Sequence, residues 1–129
     1  EYPELPQVVE SNAFKINKDS WNLTLLNQQS SHGLNPCYIS LSPKGNNIFT
    51  ANYSSGSITS HPILKNGNIG ESVSFIQLEG SGPDKSRQEG PHAHYIHSSI
   101  DGKYVYATDL GTDKIMIYKE TSIEINEFL

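Results

Sequence analysis

The stretch that decides the fold runs from Pro36 to Ile58 and reads P-C-Y-I-S-L-S-P-K-G-N-N-I-F-T-A-N-Y-S-S-G-S-I. A second stretch, His94 to Ile115, reads H-Y-I-H-S-S-I-D-G-K-Y-V-Y-A-T-D-L-G-T-D-K-I. Laid over the first without a gap, it puts Tyr95 on Tyr38, Ile96 on Ile39, Gly102 on Gly45, Val105 on Ile48, Tyr106 on Phe49 and Ile115 on Ile58. Each pair is 57 residues apart. A fixed period of this order, made of several short apolar runs, is the mark of stacked β units.

Within one unit the punctuation is regular. Cys37 to Leu41 alternates and is closed by Ser42-Pro43-Lys44-Gly45, where proline pre-sets its own φ and glycine can take a positive one. Ile48 to Tyr53 follows, and Ser54-Ser55-Gly56 reads as a hairpin turn. Ile58 to Ile63 is a third strand, interrupted near its end by Pro62, and Asn66-Gly67 is a turn signal before a fourth, Val73 to Leu78. A polar loop, Gly80 to Gly90, leads to the next unit, with strands predicted at His92 to His97, Tyr104 to Asp109 and Ile115 to Tyr118. Its fourth strand is expected beyond Glu120, where Thr121 to Leu129 has weak strand character. Upstream, Ala13 to Asn17 and Leu23 to Leu26 fit the third and fourth strands of a preceding unit. Glu1 to Val9, with two prolines, reads either as a linker or as a degenerate strand.

No segment sustains a helical period, so the fold class is all-β. Four-stranded antiparallel units repeated radially are the blades of a β-propeller, which has four to eight of them. The sequence accounts for about two and a half: residues 1–30 end one blade, 31–80 make a complete one, and 81–129 make most of the next. Such a set cannot close a ring. One side of a standard interface is roughly 800 Å². With about 60% of it apolar and ~25 cal/mol per Å², leaving a face wet costs on the order of 12 kcal/mol. That is comparable to the whole net stability of a domain, about 5–15 kcal/mol. The missing blades are therefore expected from the rest of a longer chain or from other copies of this one.

Composition narrows the function. The 129 residues are 35% hydrophobic and 18% charged, too rich in recurring Tyr, Ile, Phe and Val for a solvated tail. No apolar run reaches the roughly 18–20 residues of a spanning helix, so a membrane role is not expected. A net charge of −5 with one arginine, Arg87, argues against nucleic acid, whose phosphates demand a basic footprint. The one cysteine, Cys37, closes no intramolecular disulfide and fits a reducing cytoplasm. A periplasmic or secreted protein with its leader removed would read the same way. The sequence starts at Glu1, without an initiator Met.

The densest chemistry lies in Arg87-Gln88-Glu89-Gly90-Pro91-His92-Ala93-His94. On a regular strand His92 and His94 would share a face, and His97 would lie on the other. Three readings compete: channel-lining imidazoles doing acid/base or substrate-orienting work, a metal site using the H-x-H spacing, or histidines bonded to backbone carbonyls between blades. Arg87 adds a fixed anion clamp. Asp109 and Asp113 read as caps of a hairpin turn rather than as a cation loop, because the spacing is not that of an EF-hand. Gly80-Ser81-Gly82-Pro83 resembles a phosphate cradle only superficially, since no helix follows. Cys37 aligns with His94 and is expected to face the channel as a small packed residue, while Trp21 and Phe14 are expected in the core.

The string R-Q-E-G-P-H-A-H, followed by Y-V-Y-A-T-D-L-G-T-D-K-I-M-I-Y, resembles the lactonase family of seven-bladed propellers, and so does the unit before it. The resemblance covers about Ala13 to Tyr118. That family includes bacterial 6-phosphogluconolactonases and a fungal muconate-lactonizing enzyme. The resemblance implies hydrolysis of a sugar lactone, most directly 6-phosphogluconolactone to 6-phosphogluconate. It places His94 on a catalytic channel histidine, with His92, Arg87 and Gln88 lining the same cleft. Lactone hydrolysis needs a water deprotonated as it attacks and an oxyanion stabilised at the carbonyl. A histidine supplies the first and an arginine the second, or the arginine holds a phosphate; no metal or other cofactor is required. A non-catalytic binding propeller and a muconate-type lactonizing enzyme are the alternatives.

Overall fold

A computed structural model of the chain describes residues 9–121 and 124–126. Among the described residues there are ten strands and no helix. A pair, β1 (Glu10–Ile16) and β2 (Leu23–Ser30), precedes two four-stranded sheets. The first sheet runs β3 (Pro36–Leu41), β4 (Asn47–Asn52), β5 (Ser57–Pro62) and β6 (Ser74–Gln77) in that spatial order. The second repeats it with β7 (Ala93–Ser98), β8 (Tyr104–Asp109), β9 (Lys114–Glu120) and β10 (Ile125–Asn126). All neighbours are antiparallel. The weak segment after Glu120 does supply the fourth strand, shortened to two residues on Lys119 and Glu120. The expectation for Glu1 to Val9 falls, except for Val9, outside the described residues.

The turns explain why the two sheets are copies. Gly45 donates to the Ser42 carbonyl at 2.9 Å with φ +66°, and Gly102 donates to the Ser99 carbonyl at 2.9 Å with φ +65°. At the next turn Gly56 has φ +59°, while its counterpart is Asp113 at φ +56°. Aspartate is one of the few side chains that tolerate this left-handed region.

The register also repeats, including its defect. Pro36 pairs with Asn52 and Tyr38 with Ala51, which leaves Cys37 as a bulge; Ala93 pairs with Asp109 and Tyr95 with Thr108, which leaves His94 as a bulge. An extra residue breaks the two-residue alternation and re-aims the side chain. The expected face-sharing of His92 and His94 on a regular strand is corrected here, because β7 starts at Ala93 and His94 is its bulge residue.

The core lies between the two four-stranded sheets. Phe49, Ala51 and Ile58 from the first meet Ala93, Ile96, Val105, Ala107 and Tyr118 from the second, with Leu78 and Ile125 closing the edge. The positions that bury Phe49 and Ile58 in the first sheet correspond to Tyr106 and Ile115 in the second, and both of these are exposed. On the other side of the first sheet, β1 and β2 pack through a polar seam. Asn27 and Ile69 exchange two hydrogen bonds of 2.7 and 2.9 Å, and Ser11 meets Thr50 at 3.3 Å.

Two core expectations are corrected. Phe14 is 49% exposed, on the open face of the β1–β2 pair with Ile16, Leu23 and Leu25, and Trp21 is 76% exposed in the intervening turn. Both are apolar, but nothing among the described residues covers the face that carries Phe14 or the turn that carries Trp21.

Candidate functional site

The site is assembled by two hairpin turns and one loop. The loop from Gly80 to Gly90 is bracketed by Gln88, a buried side chain. Its Nε2 donates to the Leu110 carbonyl at 2.9 Å and to Asp113 Oδ1 at 2.6 Å, and its Oε1 accepts the Asp84 amide at 2.9 Å. The amide of Gln88 is thus engaged inside the protein, where it holds the loop against the β8–β9 turn.

Arg87 stands beside Gln88 but is exposed, and its backbone caps Asp84 at 3.1 Å. The Asp84 carboxyl sits below its usual range because Ser86 donates to it from both hydroxyl and amide, with the Arg87 charge adding to the effect. Among the described residues, no hydrogen bond or ion pair joins Arg87 to either histidine.

His92 is half-buried and gripped on every side. Its Nδ1 donates to the Tyr53 carbonyl at 3.2 Å, and its Nε2 faces Glu89 Oε1 at 3.3 Å. Both ring nitrogens therefore face oxygen acceptors, which fixes the orientation of the ring. The ring stacks on Tyr53 with centroids 4.6 Å apart and planes 15° apart. Tyr53 also meets the His94 ring edge-on, at 5.8 Å and 84°. The tyrosine, carried by the β4–β5 turn of the preceding sheet, is what brings the two histidines together. Sequence reasoning missed it. The available signal was its place at a hairpin tip, directly after the strand that aligns with the one ending in Asp109.

His94 differs from His92. Its ring is exposed and makes no hydrogen bond among the described residues. It lines an open cavity of about 360 Å³ with Thr108, Asp109, Leu110, Asp113, Lys114 and Ile115. The Asp109 carboxylate accepts from the His92 and Gly111 amides and the Thr112 hydroxyl at 2.6, 2.9 and 2.7 Å. The hairpin-cap reading of Asp109 is therefore correct, and Asp109 also holds the backbone of His92. His97 lies apart from the site, stacked on Tyr95 at 6.0 Å.

Cys37, the counterpart of His94, is an exposed bulge residue rather than a packed one. Its thiol reaches the Ala93 carbonyl at 3.4 Å and the His94 carbonyl at 3.6 Å. Partial burial pushes its pKa up, which disfavours the reactive thiolate.

Comparison with known proteins bears on the fold and the family. The family model described as "Lactonase, 7-bladed beta-propeller" matches residues 6–126. A 6-phosphogluconolactonase of Bacillus subtilis is 40% identical over 107 residues, which is 83% of this chain and 30% of the relative. A Bacteroides fragilis structure, provisionally assigned as a 6-phosphogluconolactonase, superposes with a TM-score of 0.80 at 45% identity, covering 85% of this chain and 30% of that one. A periplasmic gluconolactonase of Pseudomonas aeruginosa superposes at 0.76 with 30% identity, covering 85% and 31%. The chain thus spans about a third of the length of the relatives it matches. Matched by the family model over nearly all its length, and carrying two repeated four-stranded sheets of the kind that family stacks, the chain belongs to the lactonase family of seven-bladed β-propellers.

Proposed function

We propose that this chain is part of a sugar-lactone hydrolase in which His94 is the general base. The observation that carries the reading is the contrast between the two histidines. His92 has both nitrogens engaged and is locked against Tyr53, whereas His94 beside it is exposed, lines a cavity and makes no ring hydrogen bond among the described residues.

In this scheme His94 takes a proton from a water as the water attacks the lactone carbonyl. The resulting oxyanion collapses, the ring C–O bond breaks, and the proton passes to the leaving alkoxide. The product is the open-chain hydroxy acid. A positioned base of this kind contributes about 10²–10⁴-fold. Arg87, exposed at the loop that leads into the site, is the proposed clamp for an anionic substrate group, and Gln88 serves by holding that loop in place. The remaining blades come from a longer chain or from other copies.

The Bacillus relative supports 6-phosphogluconolactone as the substrate. The Pseudomonas structure supports a second reading, the unphosphorylated gluconolactone, and with it a periplasmic rather than a cytoplasmic setting. Proton release on hydrolysis of each lactone, corrected for spontaneous opening, tests both. Wild-type protein is expected to exceed the background, and His94→Ala to lose about 10²–10⁴-fold of the excess, while His97→Ala keeps it. Equal rates for wild type and His94→Ala would remove the assignment of the base.

A further inference from the structure

We infer that Asp109 is a positioning residue for the candidate base, acting through the backbone of His92; the inference rests on the reading that His94 is that base. Asp109 ends β8 and is 2% exposed. Its carboxylate is satisfied entirely by donors, and among the described residues no cation pairs with it. The shortest of its bonds, 2.6 Å, comes from the His92 amide. Bonds of this kind, with one charged partner, are about twice as strong as neutral ones. The His92 carbonyl is held as well, by the Leu110 amide at 3.0 Å. One turn therefore grips the His92 residue at both ends of its backbone, two residues before the His94 bulge.

The repeat provides an internal control. Fifty-seven residues earlier, the counterparts of His92, His94 and Asp109 are Asn35, Cys37 and Asn52. The carbonyl bond is common to both units, since the Tyr53 amide donates to the Asn35 carbonyl at 3.0 Å. Asn52, however, turns its Nδ2 to the Ser31 carbonyl at 3.0 Å and to Ser57 Oγ at 3.2 Å, and bonds nothing at Asn35. The carboxylate grip is present only in the unit that carries the histidines.

Sterics leave the gripped segment no slack. A Cβ on Gly111 would meet the backbone of Gly90, of Pro91 at 2.8 Å and of His92 at 2.8 Å. One on Gly56, in the turn of the neighbouring sheet, would strike Pro91, with Cγ at 2.6 Å. Pro91 and His92 lie in a slot between two turns, and Asp109 sets their depth in it. A misplacement of about 1 Å in a catalytic group costs on the order of 10²-fold in rate. This explains why the two halves of the sequence signature, around His92–His94 and around Asp109–Asp113, form one device.

The test compares Asp109→Ala, Asp109→Asn and Asn52→Ala in the full chain, by lactone hydrolysis and by the proton shift of the His92 amide. Asp109→Ala is expected to lower kcat about 10–100-fold with little change in KM. It should also move the His92 amide upfield as the charge-assisted bond is lost. Asp109→Asn, which keeps an acceptor oxygen, should recover part of both, and Asn52→Ala should change neither. The inference is overturned if Asp109→Ala and Asn52→Ala behave alike in kcat, or if the His92 amide is unmoved. Should Asp109→Ala not fold, Asp109→Asn decides on the same two readouts. His94→Ala separates the two proposals. Full activity in that variant would remove the base while leaving the Asp109 bond to be judged by the amide shift, and an unmoved shift would remove the Asp109 role alone.

Discussion

Gly111→Ala is the perturbation whose size follows most directly from the geometry. Neither Gly111 nor Gly90 is among the glycines with positive φ, so alanine is conformationally allowed at both. Replacing a glycine at such a place normally stabilises by about 0.4–1 kcal/mol, through the lost freedom of the unfolded chain. At Gly90 a Cβ meets nothing within 4 Å, and this gain should appear. At Gly111 the new methyl overlaps the backbone of residues 90 to 92, which is held by the Asp109 and Leu110 bonds and cannot swing away like a side-chain tip. Relieving the overlap requires the His92 amide to leave Asp109, and a hydrogen bond to a charged group is worth about 1.5–3 kcal/mol. Set against the entropic gain, the net loss is about 1–2 kcal/mol, a sizeable share of the 5–15 kcal/mol typical of a domain. With a urea slope near 2 kcal/mol per molar, the midpoint should fall by about 0.5–1 M at unchanged slope. Equilibrium unfolding of wild type, Gly90→Ala and Gly111→Ala at one protein concentration measures it. A Gly111→Ala midpoint at or above that of wild type would refute the slot between the turns.

Three further outcomes follow from the same structure. Phe49→Ala, which empties the centre of the core between the sheets, should cost about 3–5 kcal/mol by urea unfolding, against less than half of that for Phe49→Leu. Burial pushes the His61 imidazole below its ordinary value of 6.5; the Gly70 carbonyl opposes this, and the stacked His32 ring adds to it. The unfolded chain therefore takes up a proton on His61 before the folded one does. Stability on this account is constant above about pH 6.5 and is lost as the pH falls from there to the depressed folded value, with no further loss below it. The urea midpoint of wild type should drop more steeply across that window than that of His61→Gln. Finally, Phe14→Glu and Ile115→Glu each place a charge on an open sheet face and should reduce self-association in light scattering without changing the circular dichroism.

Much of the fold was legible because the repeat and its turn residues are local signals. Gly45 and Gly102 mark the same turn, and the alternating runs between turns set the strands. The bulges at Cys37 and His94 were not legible, because a period-two pattern looks the same with one extra residue until the register is known. Phe14 and Trp21 show a related limit: hydrophobicity says that a face is apolar, not that anything covers it. At the site, the sequence identified Arg87, Gln88, His92 and His94 as a cluster, but equal nearness along the chain concealed unequal roles. Gln88 turns inward, Arg87 outward, and His92 is engaged while His94 is open. Tyr53, which joins the histidines, comes from the neighbouring sheet. Only packing between sheets brings it there.

The most direct test of the account is the rate of lactone hydrolysis by the complete propeller that contains this chain and by its His94→Ala form, each corrected for spontaneous opening. The account expects catalysis above background that is lost in the variant. A rate equal to the background for the complete propeller, or an unchanged rate with His94 replaced, would contradict it.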